Sequence, residues 1–405
     1  FLSGLPMLLV LSTLNAWMKE CACSTTLIGQ IALTTWPYAC KIFWAPWMDR
    51  WIREKPNNQR KLWAWTMGGV TLGLWIISLS TPSIHSQRLF LASTCVSLCA
   101  AVQDLILETY RAEIIQGPSQ TFLAAMSNTG FRLGMLLASS GGLILACYVS
   151  WPETYQIFSL VYLVIGIIVL WSTPIKAIEP LAKLSGQDFF QQIYSQYIRA
   201  FQNLTQRMPW HHLVLLIAFF KTGDIVLNAL SSVFLMDIGY SKHDIASIAK
   251  GVGLISMMCG GWIAGYWAPL WSWKRSLMMG SVGHILAIST FIVQSFYGVH
   301  YGLLMGVMVT ENLLCGFSAS LFFGGLAQLC RAPYTATQWG FLASTGSLGR
   351  MIITSLSGWV KEETTWSLLF TMTLISSTLW LMYMAAFLPR PLLAVSSQKR
   401  KRKKA

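Results

Sequence analysis

Residues 89–107 read LFLASTCVSLCAAVQDLIL, a run long enough to cross a bilayer as a helix, with Asp104 as its one charged side chain. A charge at mid-bilayer costs at least ~2.5–3.5 kcal/mol, so such a residue usually faces a partner or a watery cavity. The chain of 405 residues is 54% hydrophobic and 11% charged, whereas soluble proteins average about 25% charged residues. The sequence therefore predicts an all-α protein with several membrane-spanning helices.

Twelve apolar segments of this kind follow one another along the chain, and one spanning helix needs ~20 such residues. They cover residues 1–18, 25–48, 62–81, 88–108, 120–148, 153–173, 209–236, 243–268, 273–296, 300–329, 334–360 and 364–388. The predicted domains are an N-terminal six-helix bundle at 1–173, a cytoplasmic linker at 174–208, a C-terminal six-helix bundle at 209–389 and a basic cytoplasmic tail at 390–405. Apolar residues at helical spacing predict an amphipathic helix in the linker, lying on the inner leaflet.

The basic residues indicate the orientation in the membrane. With the N-terminus inside, one set of loops and the tail hold 20 of the 29 Lys and Arg residues, whereas the opposite loops hold 4. By the positive-inside rule, both termini are predicted to be cytoplasmic. The net charge of +14 therefore reflects membrane topology, and a nucleic-acid partner is not predicted.

The two halves of the chain resemble each other at a constant offset. The offset that carries Gly130–Gly134 onto Thr345–Gly349 also carries Ser140 onto Ser355 and Trp151 onto Trp366. Parallel repeats of six spans build one large class of transporters, in which the substrate site lies at the membrane midplane between the halves. The repeat therefore favours a transporter.

The loop after the second segment reads Ala45-Pro46-Trp47-Met48-Asp49-Arg50. It resembles the signature between the second and third spans of the major facilitator superfamily, although Ala45 stands where that signature has glycine. An aspartate at a helix end can cap the positive N-terminus of a neighbouring helix, and the contact can break when two halves rock. Asp49 and Arg50 are therefore predicted gating residues, with an ordinary basic loop as the open alternative.

A closer resemblance is carried by motifs spread from the first span to the eleventh. They are Ser3–Pro6, Thr13–Met18, Lys41–Arg50, Gln103-Asp104, Phe131–Met135, Lys221–Asp224, Glu311–Leu313, Ala336–Gln338 and Gly349-Arg350. In this order they resemble the AmpG family of muropeptide permeases, which belongs to the major facilitator superfamily.

This resemblance implies twelve transmembrane helices in two six-helix bundles, in the bacterial inner membrane. It implies proton-coupled import of N-acetylglucosaminyl-1,6-anhydro-N-acetylmuramyl peptides from periplasm to cytoplasm. The expected partners are this muropeptide, protons and membrane lipid; no cofactor is expected, and the protein is expected to be a monomer. Two alternatives stay open: a transporter of another anionic solute such as acetyl-coenzyme A, and a membrane sensor that does not transport. The sequence holds no enzyme motif or metal-type spacing, so neither an enzyme nor a metal site is predicted.

Four acids lie deep in predicted spans, and they are the candidate proton-coupling residues: Asp104, Glu108, Asp224 and Glu311. Asp104 and Glu108 are four residues apart and project from one helix face, so each would disfavour ionisation of the other. Asp104 is the first candidate because the family motif includes it. The alternatives are permanent ion pairs: Asp104 with Arg132 or Lys41, Asp224 with Lys221, and Glu311 with Lys250 or Arg350.

The predicted substrate-binding residues are of three kinds. Buried cations suit the peptide carboxylates of a muropeptide, and they are Arg132 as first candidate, then Lys221, Lys41, Arg350 and Lys250. Flat rings for the sugars are Trp36, Trp44 and Trp339, and amides for the sugar hydroxyls are Gln103, Asn128, Asn312 and Gln338. The alternatives are interfacial tryptophans and amides that join helices.

Overall fold

The protein is described by a computed structural model, whose described residues are 1–55, 57–115, 117–172, 189–241, 244 and 252–389. Within these ranges the regular structure is helical and no strand occurs. Contacts group the chain into two compact units. The first comprises Phe1–Ile114, Thr129–Ile198 and Arg331–Ser344, and the second comprises Ile115–Asn128, Arg199–Cys330 and Thr345–Ala405.

Ten described helices occupy the chain as far as the linker. They are α1 (Gly4–Leu8), α2 (Leu14–Glu20), α3 (Thr25–Leu33), α4 (Ala45–Glu54), α5 (Asn58–Ser78), α6 (Ser86–Ile114), α7 (Gln120–Leu136), α8 (Gly142–Ala146), α9 (Trp151–Ser172) and α10 (Phe189–Thr205). Seven described helices follow: α11 (Trp210–Phe219), α12 (Thr222–Asp237), α13 (Gly253–Trp267), α14 (Trp273–Tyr297), α15 (Tyr301–Leu329), α16 (Thr335–Glu363) and α17 (Trp366–Phe387). Each unit has its own apolar core.

Seven of the described helical stretches are long and apolar enough to cross a membrane. They are Ser86–Ile114, Gln120–Ala146, Trp151–Ser172, Trp210–Asp237, Trp273–Tyr297, Tyr301–Leu329 and Trp366–Phe387. Each coincides with one of the twelve predicted spans. Four of the other predicted spans also carry helix, but that helix is shorter, interrupted or more polar, and the span predicted at 243–268 lies partly outside the described residues. The all-α, membrane-spanning fold class is thus confirmed.

The second predicted span is not one continuous helix over 25–48. Helix α3 ends at Leu33, two 3₁₀ turns follow at Trp36–Tyr38 and Lys41–Phe43, and α4 begins at Ala45. Proline explains the interruption, because Pro37 and Pro46 lack the N–H that an α-helix needs and crowd the preceding turn. The break places Tyr38 and Lys41 on irregular backbone.

Two other predicted spans contain a π-helical turn, Leu9–Thr13 between α1 and α2 and Leu137–Gly141 between α7 and α8. The turns meet in the first unit, where the Thr13 hydroxyl donates to the Ala138 carbonyl at 2.7 Å. The helices approach closely because glycine lines the contact. A Cβ on Gly134 would lie 2.4 Å from the Phe1 carbonyl oxygen.

The helix boundaries repeat at the offset seen in the sequence. Helices α5, α6, α7 and α9 begin at Asn58, Ser86, Gln120 and Trp151, and that offset carries these starts onto Trp273, Tyr301, Thr335 and Trp366, where α14, α15, α16 and α17 begin. The paired helices α6 and α15 are both 29 residues long, and α9 and α17 are both 22. The short sequence match therefore belongs to a longer repeat, in which α5, α6, α7 and α9 correspond to α14, α15, α16 and α17.

The amphipathic linker helix is present as α10, and within the first unit its start is bound to the broken second span. The Gln196 amide donates to the Pro46 carbonyl at 2.8 Å, and the Tyr197 hydroxyl donates to the Ile42 carbonyl. The Ile42 carbonyl belongs to the interrupted stretch, so α10 satisfies a backbone group that a continuous helix would pair internally. Residues 173–188 and the tail at 390–405 lie outside the described residues.

Candidate functional site

A buried ion pair joins the interrupted second span to α6. The Lys41 ammonium bonds the Asp104 carboxylate, and the Lys41 side chain is 8% exposed and that of Asp104 21%. Of the two partners predicted for Asp104, the structure thus selects Lys41 rather than Arg132. The Lys41 ammonium also lies 5.6 Å from the ring centroid of Tyr38, within cation–π range.

Glu108 lies one turn from Asp104 on α6, so the coupled carboxyl pair stays a prediction. Its carboxylate forms an ion pair with Arg111, three residues further along α6, with 2.5 Å between the charged atoms, so each of the two acids has its own cation. Arg111 is itself buried and lies 5.3 Å above the Trp339 ring. Trp339, whose ring was predicted to contact a sugar, is therefore buried beneath the Arg111 side chain.

Several buried polar groups of the first unit have no hydrogen-bond partner among the described residues. Among them are the Tyr38 hydroxyl, the Trp44 indole N–H, the Gln103 amide nitrogen and Arg132 Nε. The oxygen of Gln103 is engaged, since it accepts from the Tyr162 hydroxyl. Leaving such a group unpaired costs about 1–3 kcal/mol, so this set calls for water or a polar ligand.

The predicted gating residue Asp49 caps a helix. It lies just past the second predicted span and accepts from the backbone N–H of Ala336 at 3.0 Å, and from the N–H and hydroxyl of Thr337 at 2.7 and 2.6 Å. These N–H groups belong to the first turn of α16, where the helix dipole is positive. Burial nevertheless raises the pKa of Asp49 from its ordinary 3.8 to about 6, against the lowering effect of Arg53 and the hydrogen bonds.

The cap is reinforced by a second acid. Arg53 lies 3.9 Å from Asp49 and also bonds Glu113, whose carboxylate accepts from the Thr335 hydroxyl at 2.5 Å. Arg50, the other predicted gating residue, is exposed and donates to the side chain of Gln192 on α10.

The second unit holds its own buried cluster around Asp224. Lys221 lies 3.0 Å from the Asp224 carboxylate, and Asn228 donates to it at 2.7 Å. Cys315 contacts the same carboxylate from α15. Lys221 occupies the break between α11 and α12, and its ammonium lies 4.9 Å from the Phe323 ring centroid. The intrahelical pair, one of the two predicted alternatives, is thus present.

The remaining predicted residues have varied surroundings. Glu311 is buried and accepts from the Asn312 amide at 2.5 Å. Asn128 is half-buried, and Gln338 accepts from the Arg331 N–H at 2.8 Å. Lys250 lies outside the described residues.

One prediction about burial is wrong. Arg350, expected among the buried cations, has an exposed side chain, because the face of α16 that packs against α11 within the second unit is lined by Gly346 and Gly349. Trp36 is 52% exposed, since it stands where the second span is interrupted, and Trp44 is half-buried.

Sequence reasoning missed the residues that complete these clusters. Tyr38 and Tyr162 flank the Lys41–Asp104 pair and its neighbour Gln103, whereas Arg53 and Glu113 support the cap. Pro37 and Pro46 were the signal for the break that positions Tyr38. No signal in the sequence pairs Glu113 with Arg53, because 60 residues separate them.

A family comparison matches residues 1–352 to the model of the Major Facilitator Superfamily. The chain belongs to this superfamily. It is therefore a membrane-spanning transporter, as predicted, and not an enzyme. Its fold is similar to the crystal structure of a variant of the fucose:proton symporter of E. coli, with a TM-score of 0.66 over 95% of this chain and 97% of that one, at 12% identity.

Curated relatives point in the same direction. The chain is 26% identical to a Rickettsia felis protein named "Putative transporter AmpG 4" over 92% of this chain and 91% of that protein. It is 28% identical to Rickettsia typhi and Rickettsia prowazekii proteins named "Putative transporter AmpG 3", over 94% of this chain and 92% of each. These matches confirm the resemblance to the AmpG family.

Proposed function

We propose that this transporter imports cell-wall muropeptides, N-acetylglucosaminyl-1,6-anhydro-N-acetylmuramyl peptides, from periplasm to cytoplasm together with protons. It works by alternating access as a monomer in the bacterial inner membrane, with both termini cytoplasmic. The names of its relatives and the order of the AmpG-like motifs support the substrate. The basic loops support the orientation.

The buried pair of Lys41 and Asp104 carries the proton-coupling part of the proposal. A proton arriving from the periplasm binds the Asp104 carboxylate, which neutralises it and releases the Lys41 ammonium. A buried cation that has lost its partner needs a new anion, because breaking one side of a buried pair costs about 3–5 kcal/mol. A peptide carboxylate of the substrate supplies that anion. Proton and substrate then bind in one coupled step.

The unpaired polar groups of the first unit support a ligand rich in hydroxyls, amides and carboxylates. Arg132 makes no ion pair with any described residue, so its guanidinium is available to a second carboxylate. The Tyr38 hydroxyl, the Trp44 indole and the Gln103 amide offer hydrogen bonds to sugar and peptide oxygens. Lys221, Asp224 and Glu311 provide ionisable groups in the second unit.

The membrane potential supplies the driving force. A proton's charge crossing ~150 mV releases about 3.5 kcal/mol, at roughly 2.3 kcal/mol per 100 mV. That free energy corresponds to a few hundred-fold accumulation of a substrate that is neutral overall. In this cycle Asp49 holds the first turn of α16 in one state and releases it in the other.

The test is transport by the purified protein in sealed proteoliposomes. Labelled anhydro-muropeptide is added outside, with an inward proton gradient and an inside-negative potential, and uptake is followed in the presence of unlabelled competitors. We expect gradient-dependent accumulation that unlabelled muropeptide abolishes and acetyl-coenzyme A leaves unchanged. Competition by acetyl-coenzyme A alone would assign the other substrate class, and saturable binding without flux would make the protein a sensor.

A further inference from the structure

A groove of about 560 Å³ runs between α11 and α17 in the second unit and opens at the protein surface. Leu215 and Phe219 line it from α11, and Ile375, Leu379, Trp380 and Tyr383 line it from α17. Along α17 the lining extends from Met372 to Tyr383, or about 16 Å at 1.5 Å per residue. That length is about half of the ~30 Å hydrocarbon core, and so matches one leaflet.

One end of this groove is polar, in contrast to its apolar length. The Tyr383 hydroxyl and His212 Nδ1 are hydrogen-bonded at 2.7 Å. Lys274 reaches the same end of α17 and donates to the Ala385 carbonyl at 2.9 Å. By the predicted topology this is the cytoplasmic side, where anionic lipids attract basic residues. A cation and a histidine at this end therefore favour an anionic head group.

Trp380 provides the second observation that points to a ligand. Its side chain is only 6% exposed, it lines the groove, and its indole N–H has no hydrogen-bond partner among the described residues. A buried tryptophan N–H usually finds an acceptor. Trp380 lies seven residues before the end of α17, about 10 Å along the helix.

A second groove of the same unit offers a matched comparison. It has a volume of about 490 Å³ and lies between α14 and α15, with Leu286, Val293, Val309 and Leu313 in its lining. Its hydroxyl groups on Ser289 and Thr290 already donate to carbonyls of their own helix, at 2.9 and 2.7 Å. No unpaired buried N–H lines this groove in the described residues.

We propose that the α11–α17 groove is a binding site for one anionic phospholipid of the inner leaflet. An acyl chain lies along Phe219, Ile375 and Leu379, and an ester carbonyl accepts the hydrogen bond of Trp380. The phosphate lies toward Lys274 and His212. This site goes beyond the transport function and does not depend on which solute is carried.

Native mass spectrometry of the full-length protein in detergent tests the proposal. Dioleoyl phosphatidylglycerol and dioleoyl phosphatidylcholine are titrated in parallel, and the dissociation constant of the first bound lipid is measured. Three variants are compared with the parent protein. S376W fills the groove, W380F keeps the ring but removes the N–H donor, and T290W fills the matched groove instead.

We expect phosphatidylglycerol to bind the parent protein and T290W at least about tenfold more tightly than it binds S376W. W380F should weaken binding by about threefold to tenfold, the effect of one lost hydrogen bond. Phosphatidylcholine should bind the parent protein more weakly than phosphatidylglycerol. Equal binding to S376W and T290W would overturn the proposal, as would a W380F variant that is folded by circular dichroism and binds with unchanged affinity. Equal affinity for the two lipids would overturn the assignment of an anionic head group.

Discussion

Replacing Asp49 by asparagine should stabilise the protein near neutral pH. The carboxylate is fully buried, and burial raises its pKa from 3.8 to about 6. This rise corresponds to roughly 3 kcal/mol between the protonated and the ionised form, at about 1.4 kcal/mol per pH unit. This rise is a net effect, since it already includes the lowering of the pKa by Arg53 and by the hydrogen bonds from Ala336 and Thr337. Asparagine keeps an oxygen for the N–H groups of Ala336 and Thr337 without a buried charge.

The expected gain for D49N at pH 7.5 is therefore about 1–3 kcal/mol. For a chain of this length, that gain raises the thermal midpoint by about 1–4 °C. Because the pKa of the buried carboxyl lies above that of an exposed aspartate, the contribution of Asp49 to stability is fully present below pH about 4. It is lost as the pH rises through about 6. The two proteins should thus unfold at similar temperatures near pH 4 and diverge toward pH 7.5.

The assay is thermal unfolding of the purified protein in detergent, followed by circular dichroism from pH 4.5 to 8. D49A is the matched control, because alanine removes the charge and also the acceptor of the two N–H groups. D49A should unfold at a lower temperature than D49N at every pH, since a lost N-cap costs about 0.5–2 kcal/mol. A difference between the parent protein and D49N that stays constant across this pH range would refute the reasoning.

Three further predictions concern substitutions of residues in the first unit and their effect on transport or substrate binding. D104N should abolish proton-driven accumulation while retaining counterflow exchange, because the Lys41 ammonium then has no carboxylate partner at any pH. Full accumulation by this variant in proteoliposomes would exclude Asp104 from proton coupling. R132A should weaken binding of anionic ligands about 10- to 100-fold, the loss of one charge-assisted hydrogen bond, and neutral analogues far less; equal losses in a calorimetric titration would count against it. Y38F should weaken substrate binding about twofold to tenfold without lowering the thermal midpoint, because the hydroxyl has no hydrogen-bond partner among the described residues; unchanged affinity would exclude Tyr38 from the site.

The sequence was sufficient for the spanning helices but not for where they are interrupted. Long apolar runs identify a helix such as α6 because a bilayer admits few other structures. The break before Lys41 was visible as Pro37 and Pro46, yet the apolar pattern over 25–48 concealed it. The break at Lys221 lies beside Gly223, a weaker signal that membrane helices often tolerate.

The partners of charged side chains were harder to predict than the helices. Asp104 had two possible cations, and the choice of Lys41 depends on the interrupted backbone that carries it. Glu108 pairs with Arg111 because residues three apart share a helix face, a local rule that was available from the sequence. Exposure of Arg350 depends on which face of α16 packs, and glycines on that face are neutral with respect to hydropathy.

Comparison of the two halves at the repeat offset distinguishes residues that support the fold from residues predicted to act in transport. Trp151 begins α9 and donates to Glu20 at 2.6 Å, and its repeat counterpart Trp366 begins α17 and donates to Asp237 at 3.0 Å. A similar contact from the repeated tryptophan to an acid thus occurs in both halves, although Glu20 and Asp237 are not related by the same offset.

The charged residues of the predicted proton-coupling and substrate sites do not repeat. The repeat counterpart of Asp104 is Ala319, that of Arg132 is Ser347, and that of Glu311 is Val96. A buried charge costs free energy in each half where it occurs, so a charge kept in one half alone is retained for something other than the fold. Transport of an asymmetric ligand needs such a difference, because a sugar and a peptide at the two ends of one molecule require different partners. The residues that break the repeat are therefore the first to mutate when substrate specificity is to be changed, and those that keep it are the controls.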